Sequence, residues 1–347
     1  MTRNARRRTL RVESLEAREV MSAGGPSGEV QAMIERINSA RANPAAAIDW
    51  ALSDGRLNDT ISYYGVDRGK LREQYSHVAS RPPLGWDPSV AAAAQGQSDH
   101  QAAIGKQTHD GANGLDLTAR LQAAGYNDVT RDAENAFAFA QSPDHAMEAF
   151  LIDWGVKDQG HMRNMLQPDA AESSLTDIGI GISKTSNAGL GPNVITVDFA
   201  RHNTAKAQLL GVAYHAGSNG TYDAGEGQGN VEVDAVLLQD GKPIGPARSV
   251  MTWDASGAYQ LPLDPGTYKV TASSGGKVIR TQNVKIEADN VKVDFNLDAT
   301  WDGSSLHTEK AAEPAPVVVI KKAAAPAEPA SFTFGANVAS WYSYSNK

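Results

Sequence analysis

Two short stretches carry most of the fold information in this 347-residue chain: Gly160-His161-Met162-Arg163-Asn164-Met165-Leu166 and Ile178-Gly179-Ile180-Gly181-Ile182. The second stretch alternates apolar residues with glycine at a period of two, which is typical of a β-strand, and residues 194–199 repeat this period. The two runs therefore predict a β-hairpin. The first stretch sets polar side chains among apolar ones, which makes it a candidate for a functional site.

Toward the amino terminus, the sequence predicts mainly helices. From residue 28 the apolar residues recur three and four positions apart, and this pattern ends at Asn43. Asp87 and Ser142 are each followed by proline, which predicts that they are N-caps of further helices. Residues 53–80 show no clean period, so we predict a loop with short turns there.

After residue 202 the pattern changes to short alternating runs separated by turn pairs such as Asp240-Gly241. This spacing predicts an all-β sandwich over residues 208–298. Residues 299–347 are rich in Ala and Pro, which predicts a low-complexity tail that does not pack. Aromatic residues return near the end of this tail. Either a short strand or an adhesive end segment is compatible with this part of the sequence.

Composition excludes several classes of protein. The chain has 32 Lys and Arg against 40 Asp and Glu and contains no cysteine, so disulfide frameworks, thiolate zinc fingers, iron–sulfur sites and cysteine nucleophiles are excluded. The acidic balance argues against nucleic acid as a partner. Residues 1–27 form a basic leader without the apolar stretch of a standard signal peptide. No run approaches the length of a transmembrane segment.

Further motifs occur in a fixed order along the chain: Leu84-Gly85-Trp86-Asp87, Thr108-His109-Asp110-Gly111, Glu134-Asn135 and Trp154, followed by the two opening stretches. With this set, residues 28–202 resemble the CAP superfamily, which comprises cysteine-rich secretory, antigen 5 and plant pathogenesis-related proteins, in its bacterial SCP-like form. The resemblance implies an α+β fold, an α-β-α sandwich in which helices flank a small antiparallel sheet with a broad cleft on one face.

Two other regions also resemble known proteins. Residues 11–18 look like the short element that opens many exported proteins of planctomycete-type bacteria, which marks the leader as a candidate export element. Residues 208–298 resemble the carboxypeptidase-regulatory-like or SdrD B-like sandwiches of bacterial surface proteins, of immunoglobulin-like or prealbumin-like class. These resemblances imply an extracellular or cell-surface location.

The CAP resemblance also implies a set of site residues, because two histidines and two acids converge in the family's cleft and some members bind zinc or another divalent ion there. Matched by motif, these residues are His109, Glu134 and His161, and Asp158 fits the fourth position only with a one-residue shift. Three protein ligands would leave one zinc position for water. The histidines could instead serve as a general acid–base pair, or the side chains could simply hold each other in the cleft floor.

The sandwich resemblance also implies a loop that can bind calcium. Asn219, Asp223 and Glu226 are weak candidates for its ligands, because alanine and glycine stand where that resemblance leads one to expect an aspartate. A folded spacer is the favoured interpretation, and calcium is not expected. For the whole chain we predict a module that binds a small apolar, lipid-like or cell-envelope ligand, with or without a divalent ion. A metal-dependent, peptidase-like hydrolase and a structural or adhesive matrix protein are the alternatives.

Overall fold

The computed structural model describes residues 24–169, 175–299 and 342–346. The helices in these ranges are α1 (Gly28–Ala42), α2 (Pro44–Leu52), α3 (Asn58–Tyr63), α4 (Arg68–Ser76), α5 (Pro88–Ile104), α6 (Leu117–Ala123), α7 (Pro143–Ile152) and α8 (Gly160–Leu166). The strands are β1 (Gly85–Trp86), β2 (Val129–Ala140), β3 (Asp177–Lys184), β4 (Asn193–His202), β5 (Gln208–Tyr214), β6 (Glu232–Gln239), β7 (Lys242–Pro243), β8 (Arg248–Met251), β9 (Ala258–Pro262), β10 (Gly266–Ser274), β11 (Lys277–Ile286), β12 (Val291–Lys292), β13 (Phe295–Asn296) and β14 (Tyr342–Asn346). Residues 1–23 of the basic leader and most of the Ala/Pro-rich tail lie outside the described residues.

The first sheet has the strand order β1-β3-β4-β2-β14. The predicted hairpin is present as β3 and β4, which pair antiparallel with Ile178 opposite Phe199. β1 pairs parallel with β3, whereas β2 and β14 extend the sheet antiparallel on the other side. The fifth strand, β14, comes from the end of the tail, where the return of aromatic residues leaves a short strand as one alternative.

Helices cover both faces of this sheet. On β4, Ile195 and Phe199 belong to the large core that contains α1, α2, α7 and α8 residues, whereas Ala200 packs with α5 and α6. Adjacent residues of a strand point to opposite faces, so this split places α5 and α6 on one face and the other helices on the opposite face. Helices on both sides of a mostly antiparallel sheet are the arrangement that the CAP resemblance implies.

The glycines of β3 let α5 approach the sheet closely. A Cβ atom at Gly179 would lie 2.1 Å from the backbone nitrogen of Ala91, and one at Gly181 would lie 2.3 Å from the carbonyl oxygen of Ala94. Only glycine leaves room for backbone at these distances. The alternation of glycine in β3 therefore fixes where α5 sits.

Residues 53–80 differ from the predicted loop, because they form α3, α4 and a short 3-10 turn. Leu57, Ile61, Leu71 and Tyr75 from this region are buried in the large core. Each helix is so short that the sequence shows no sustained helical period, and tertiary packing rather than local pattern stabilises them.

Residues 207–295 form a second region that is rich in β-structure. β11, β10, β6 and β7 form one sheet, with β8 also paired to β6, and β12, β5 and β13 form another, with β9 paired to β5. Side chains from both sheets, among them Val233, Val270 and Phe295, share one buried core. Most pairings are antiparallel, although β12 and β13 run parallel to β5. The immunoglobulin-like or prealbumin-like class stays a prediction.

The two regions contact each other through specific bonds. The backbone N–H of Trp86 donates to Gln260 Oε1 at 2.5 Å, and Gln260 Nε2 donates to the carbonyl oxygen of Trp86 at 2.8 Å. The Trp86 ring packs edge-on against Trp253, with 5.5 Å between ring centroids. Lys292 Nζ lies 2.7 Å from Glu35 Oε2 on α1. The β-rich region therefore abuts the α1 side of the first sheet.

Candidate functional site

The segment that carries His109 is fixed by two amide side chains of α5. The helix ends at Gly105, which has the left-handed conformation common after helices, and the chain then turns back along α5. Gln97 Nε2 donates to the Thr108 carbonyl oxygen at 2.7 Å, and the Thr108 N–H donates to Gln101 Oε1 at 3.1 Å. Gln97 is therefore a positioning residue for the His109 segment.

Glu134 of β2 lies between His109 and Arg120. His109 Nδ1 is 2.6 Å from Glu134 Oε1, and the Arg120 guanidinium on α6 is 2.5 Å from Glu134 Oε2. The Glu134 side chain is fully buried, and that of His109 is 18% exposed. Burial raises the pKa of Glu134, but the hydrogen bond with His109 and the Arg120 charge outweigh burial and hold this pKa below its usual range. Glu134 is therefore an ionised acceptor for Nδ1 of His109.

A second buried acid, Asp198 on β4, faces Glu134 across the strand pair. Arg120 lies 3.9 Å from Asp198, at the limit of an ion pair. Burial, together with the negative charge of Glu134, raises the pKa of Asp198 well above its usual range. As a carboxylate Asp198 would have no hydrogen-bond partner among the described residues. The protonated form can donate to Glu134, so the two acids together carry one negative charge beside the Arg120 cation.

Gly111 of the Thr108-His109-Asp110-Gly111 motif makes space for Arg120. A Cβ atom at Gly111 would lie 2.6 Å from Cδ of Arg120 and 3.0 Å from the carbonyl oxygen of Leu115. The N–H of Gly111 donates to that same carbonyl oxygen at 2.8 Å. The glycine in this motif thus admits the arginine that neutralises Glu134.

His161 forms a separate pair with Asp153. His161 Nδ1 lies 2.5 Å from Asp153 Oδ1, and the other carboxylate oxygen accepts from the Met162 N–H at 3.0 Å. Both side chains are buried, and Asp153 has the left-handed backbone that ends α7. The turn between α7 and α8 therefore presents the acid directly to the first turn of α8.

The two histidine–carboxylate pairs are connected through β2. Asn135, the neighbour of Glu134, donates from Nδ2 to the His161 carbonyl oxygen at 3.0 Å. Asn164 Nδ2 donates to the Glu134 carbonyl oxygen at 3.0 Å and to Asn135 Oδ1 at 2.9 Å. These amides satisfy buried backbone groups and set the position of α8 against β2.

Of the predicted site residues, the structure brings His109 and Glu134 together and places His161 with another acid. Asp158 is exposed, and its carbonyl oxygen accepts from Arg163. The partner of His161 is Asp153, just before Trp154 rather than after it. Sequence reasoning missed Arg120, Asp198 and Asp153, because none of them lies in a motif whose spacing marks it.

The predicted zinc ligands do not fit a three-ligand site as they are arranged. Glu134 uses one oxygen for His109 and the other for Arg120, and His161 pairs with Asp153. Across the described ranges, no group of three or more His, Cys, Asp or Glu side chains could hold a metal ion. Zinc stays a prediction, which metal analysis of the chain and of its His109→Ala/His161→Ala variant tests.

The three weak candidates for calcium ligands lie together in the loop after β5. Asn219 Nδ2 donates to Asp223 Oδ2 at 2.5 Å, and Glu226 Oε2 accepts from the Asp223 N–H at 2.8 Å. The remaining oxygen of Asp223 lies 3.3 Å from the Arg36 guanidinium of α1. These oxygens thus hold the loop and its contact with α1.

The first region is thus a domain of α-β-α layers, in which the two histidine–carboxylate pairs and their partners lie around β2. Residues 34–199 match the model of the cysteine-rich secretory protein family, CAP. This part of the chain is a CAP domain, although the chain contains no cysteine. None of the helices in the described ranges has both the length and the apolar character needed to cross a membrane.

Among solved structures, the chain is similar to the 1.5 Å crystal structure of an extracellular protein containing a SCP domain from Bacillus anthracis strain Ames. The two are 23% identical, and the match has a TM-score of 0.28. It covers 38% of this chain and 36% of that chain, so this chain spans about a third of the other protein's length. No curated protein matches the chain.

Proposed function

We propose that the CAP domain is an extracellular binding module whose ligand, a polar molecule of the cell envelope, donates a hydrogen bond to Nε2 of His109. The observation that carries this proposal is that Nε2 is buried and has no hydrogen-bond partner among the described residues. Leaving a buried acceptor unpaired costs about 1–3 kcal/mol. A ligand hydroxyl or N–H would offset that cost, and membership of residues 34–199 in an extracellular family supports this setting.

The groups around His109 favour a polar ligand over an apolar or lipid-like one. Glu134 lies beside Nδ1, and in the tautomer in which Nδ1 donates to Glu134 a lone pair is left on Nε2. Behind this pair, Arg120 adds a charge and the protonated Asp198 adds a polar group. An apolar ligand would cover Nε2 without supplying a donor, and would leave the acceptor unpaired. An adhesive role for residues 208–298 stays a prediction.

A hydrolase is the second candidate, because His109 also has the arrangement of a general base. A carboxylate lies beside its Nδ1, and Nε2 has no hydrogen-bond partner among the described residues. In such a reaction Nε2 would take the proton of a water molecule as the water attacks the substrate. This role needs neither a serine nor a cysteine nucleophile.

His109→Asn is expected to weaken binding of muropeptides, the soluble fragments of digested peptidoglycan, about ten-fold. Asparagine keeps an N–H for Glu134 but has no acceptor at the Nε2 position. Isothermal titration calorimetry measures the affinity. The matched control is His202→Asn, because His202 bonds to Thr204 and is outside the Glu134 cluster, and we expect it to bind as the wild type does.

Each outcome of this titration decides between functions. Equal affinities for the wild type and His109→Asn would contradict the role of Nε2. If the protein bound phosphatidylglycerol vesicles and not muropeptides, its ligand would be a lipid and the proposal of a polar ligand would be wrong. Mass spectrometry of the incubated fragments reports turnover: cleavage that is lost in His109→Asn would establish the hydrolase, whereas intact fragments with His109-dependent binding support the binding module.

A further inference from the structure

The outer edge of β2 is paired with a strand from the far end of the chain. β14 runs antiparallel to β2, with Ser343 opposite Glu134 and Ser345 opposite Asp132. Residues 297–341 separate it from β13 in the sequence. A remote extended segment that adds a strand to a sheet edge has the geometry by which sheets bind peptides.

Side-chain amides show which backbone groups of β2 point to this edge. Asn164 donates to the Glu134 carbonyl oxygen at 3.0 Å, and Gln107 donates to the Ala136 carbonyl oxygen at 3.3 Å. The Ala138 N–H donates to Gln107 Oε1 at 2.7 Å. Alternate residues of a strand direct their backbone groups to the same edge. The backbone N–H and C=O groups of the even-numbered residues of β2 therefore point to the outer edge. At residues 136 and 138, the Gln107 side chain makes the hydrogen bonds that a paired strand would make.

This alternation assigns the hydrogen-bonded positions of β14. Because Asp132 and Glu134 are even-numbered, their backbone N–H and C=O groups face β14, and Ser345 and Ser343 are the residues that exchange bonds with them. The hydrogen bonds of a β-ladder join backbone N–H and C=O groups. Any extended segment that has free N–H groups at two alternate positions can make the same bonds, whereas proline at those positions cannot.

The covered edge lies beside both histidine–carboxylate pairs. Glu134, opposite Ser343, binds His109, and β14 also contacts α8, the helix that carries His161. Ala133, Ala136 and Phe137 of β2 are buried. An uncovered strand edge presents unpaired N–H and C=O groups that pair readily with another extended segment, so this edge favours an occupant.

We propose that the edge of β2 at Asp132 and Glu134 is a peptide-binding site, and that β14 occupies it in cis as a removable cover. The partner is an extended, proline-free peptide in which aromatic and small polar residues alternate, as in residues 342–346. This inference goes beyond the proposed function, because it depends on the backbone of β2 and does not need Nε2 of His109.

The test uses the full chain with Ser343→Pro and Ser345→Pro together, which removes both N–H donors of β14. The probe is a fluorescein-labelled synthetic peptide with the sequence of residues 340–347, and fluorescence anisotropy measures its binding. We expect the double proline variant to bind the probe at least about ten-fold more tightly than the wild type, whose own strand competes at a high effective concentration. Ser343→Ala/Ser345→Ala keeps both donors and is expected to behave as the wild type does.

Several outcomes would overturn the proposal. These are no binding to the double proline variant, equal binding to the variant and the wild type, or binding of a probe that itself carries the two prolines. Dimers of the wild type that grow with concentration and vanish in the double proline variant would place β14 in a second copy instead of in cis. The same titration in a His109→Asn background separates the two proposals, because peptide binding there persists even if Nε2 of His109 binds nothing.

Discussion

Arg120→Met is expected to lower the free energy of unfolding by about 3–5 kcal/mol at pH 7, which is the cost of leaving a buried charge without its partner. Arg120 is the cation nearest to Glu134 and Asp198, both of which are fully buried. Methionine retains the aliphatic part of the side chain that passes Gly111. The decrease in the free energy of unfolding therefore reports the removal of the guanidinium charge. Chemical unfolding followed by near-ultraviolet circular dichroism measures it.

The pH dependence of this loss has a definite sign. Arg120 is one of the groups that lower the pKa of Glu134, and the wild type therefore keeps the stability of the ionised Glu134 above the ordinary carboxyl pKa of about 4.3. Without Arg120 the pKa of Glu134 rises, so Glu134 takes up a proton at a higher pH and its uncompensated charge disappears. The difference between variant and wild type is thus expected to be largest at pH 7 and smaller at pH 5.

Two further variants complete this experiment. Arg163→Met removes an exposed arginine that pairs with the exposed Asp169, and we expect a change below about 1 kcal/mol. Adding Glu134→Gln to Arg120→Met removes the unpaired charge and is expected to recover part of the stability at pH 7. A loss that is the same at both pH values, with no recovery in the double variant, would show that Arg120 acts by packing alone.

Gly179→Ala is expected to destabilise the CAP domain by about 3 kcal/mol, at the upper end of what overpacking costs. The new methyl group would meet the backbone of Val90 and Ala91 at 2.1–2.5 Å, and the backbone of a helix cannot rotate away as a side chain can. α5 must therefore move as a body, and it carries Gln97 and Gln101, which hold the His109 segment. The expected decrease in Tm is about 6–12 °C.

Gly96→Ala is the matched control, because it makes the same chemical change on α5 where nothing lies within 4 Å of the new Cβ atom. Gly96 is in the middle of the helix and exposed, so alanine is expected to stabilise the chain by about 0.8–1 kcal/mol. Differential scanning calorimetry of the two variants should give shifts of opposite sign. Shifts of equal sign would mean that β3 and α5 are not in the close contact described above.

Local sequence pattern determined much of this fold. The period-two runs predicted β3 and β4, and the N-cap and proline pairs at Asp87 and Ser142 predicted the starts of α5 and α7; the structure confirms these elements. Such features depend on neighbours within about four residues, and the printed sequence contains all of them. The ordered motifs also pointed to the CAP family, which the match over residues 34–199 confirms.

β2 was not predictable from local pattern. Its twelve residues include Asp132, Glu134 and Asn135, which favour neither strands nor burial, and much of the rest is alanine. The strand exists because β4 and β14 pair with it and because Arg120 and His109 neutralise and hydrogen-bond Glu134. Those partners are distant in the sequence, so no window along the chain contains the reason for the strand.

For the candidate site too, some features could be predicted from the sequence and others only from the tertiary structure. The CAP resemblance marked His109, Glu134 and His161 as candidate site residues, because each lies in one of the ordered motifs. Only the tertiary structure decided which acid serves which histidine and which cation neutralises the buried acids. Electrostatic partnership depends on distance in space and on burial, and neither quantity can be computed from spacing along the chain.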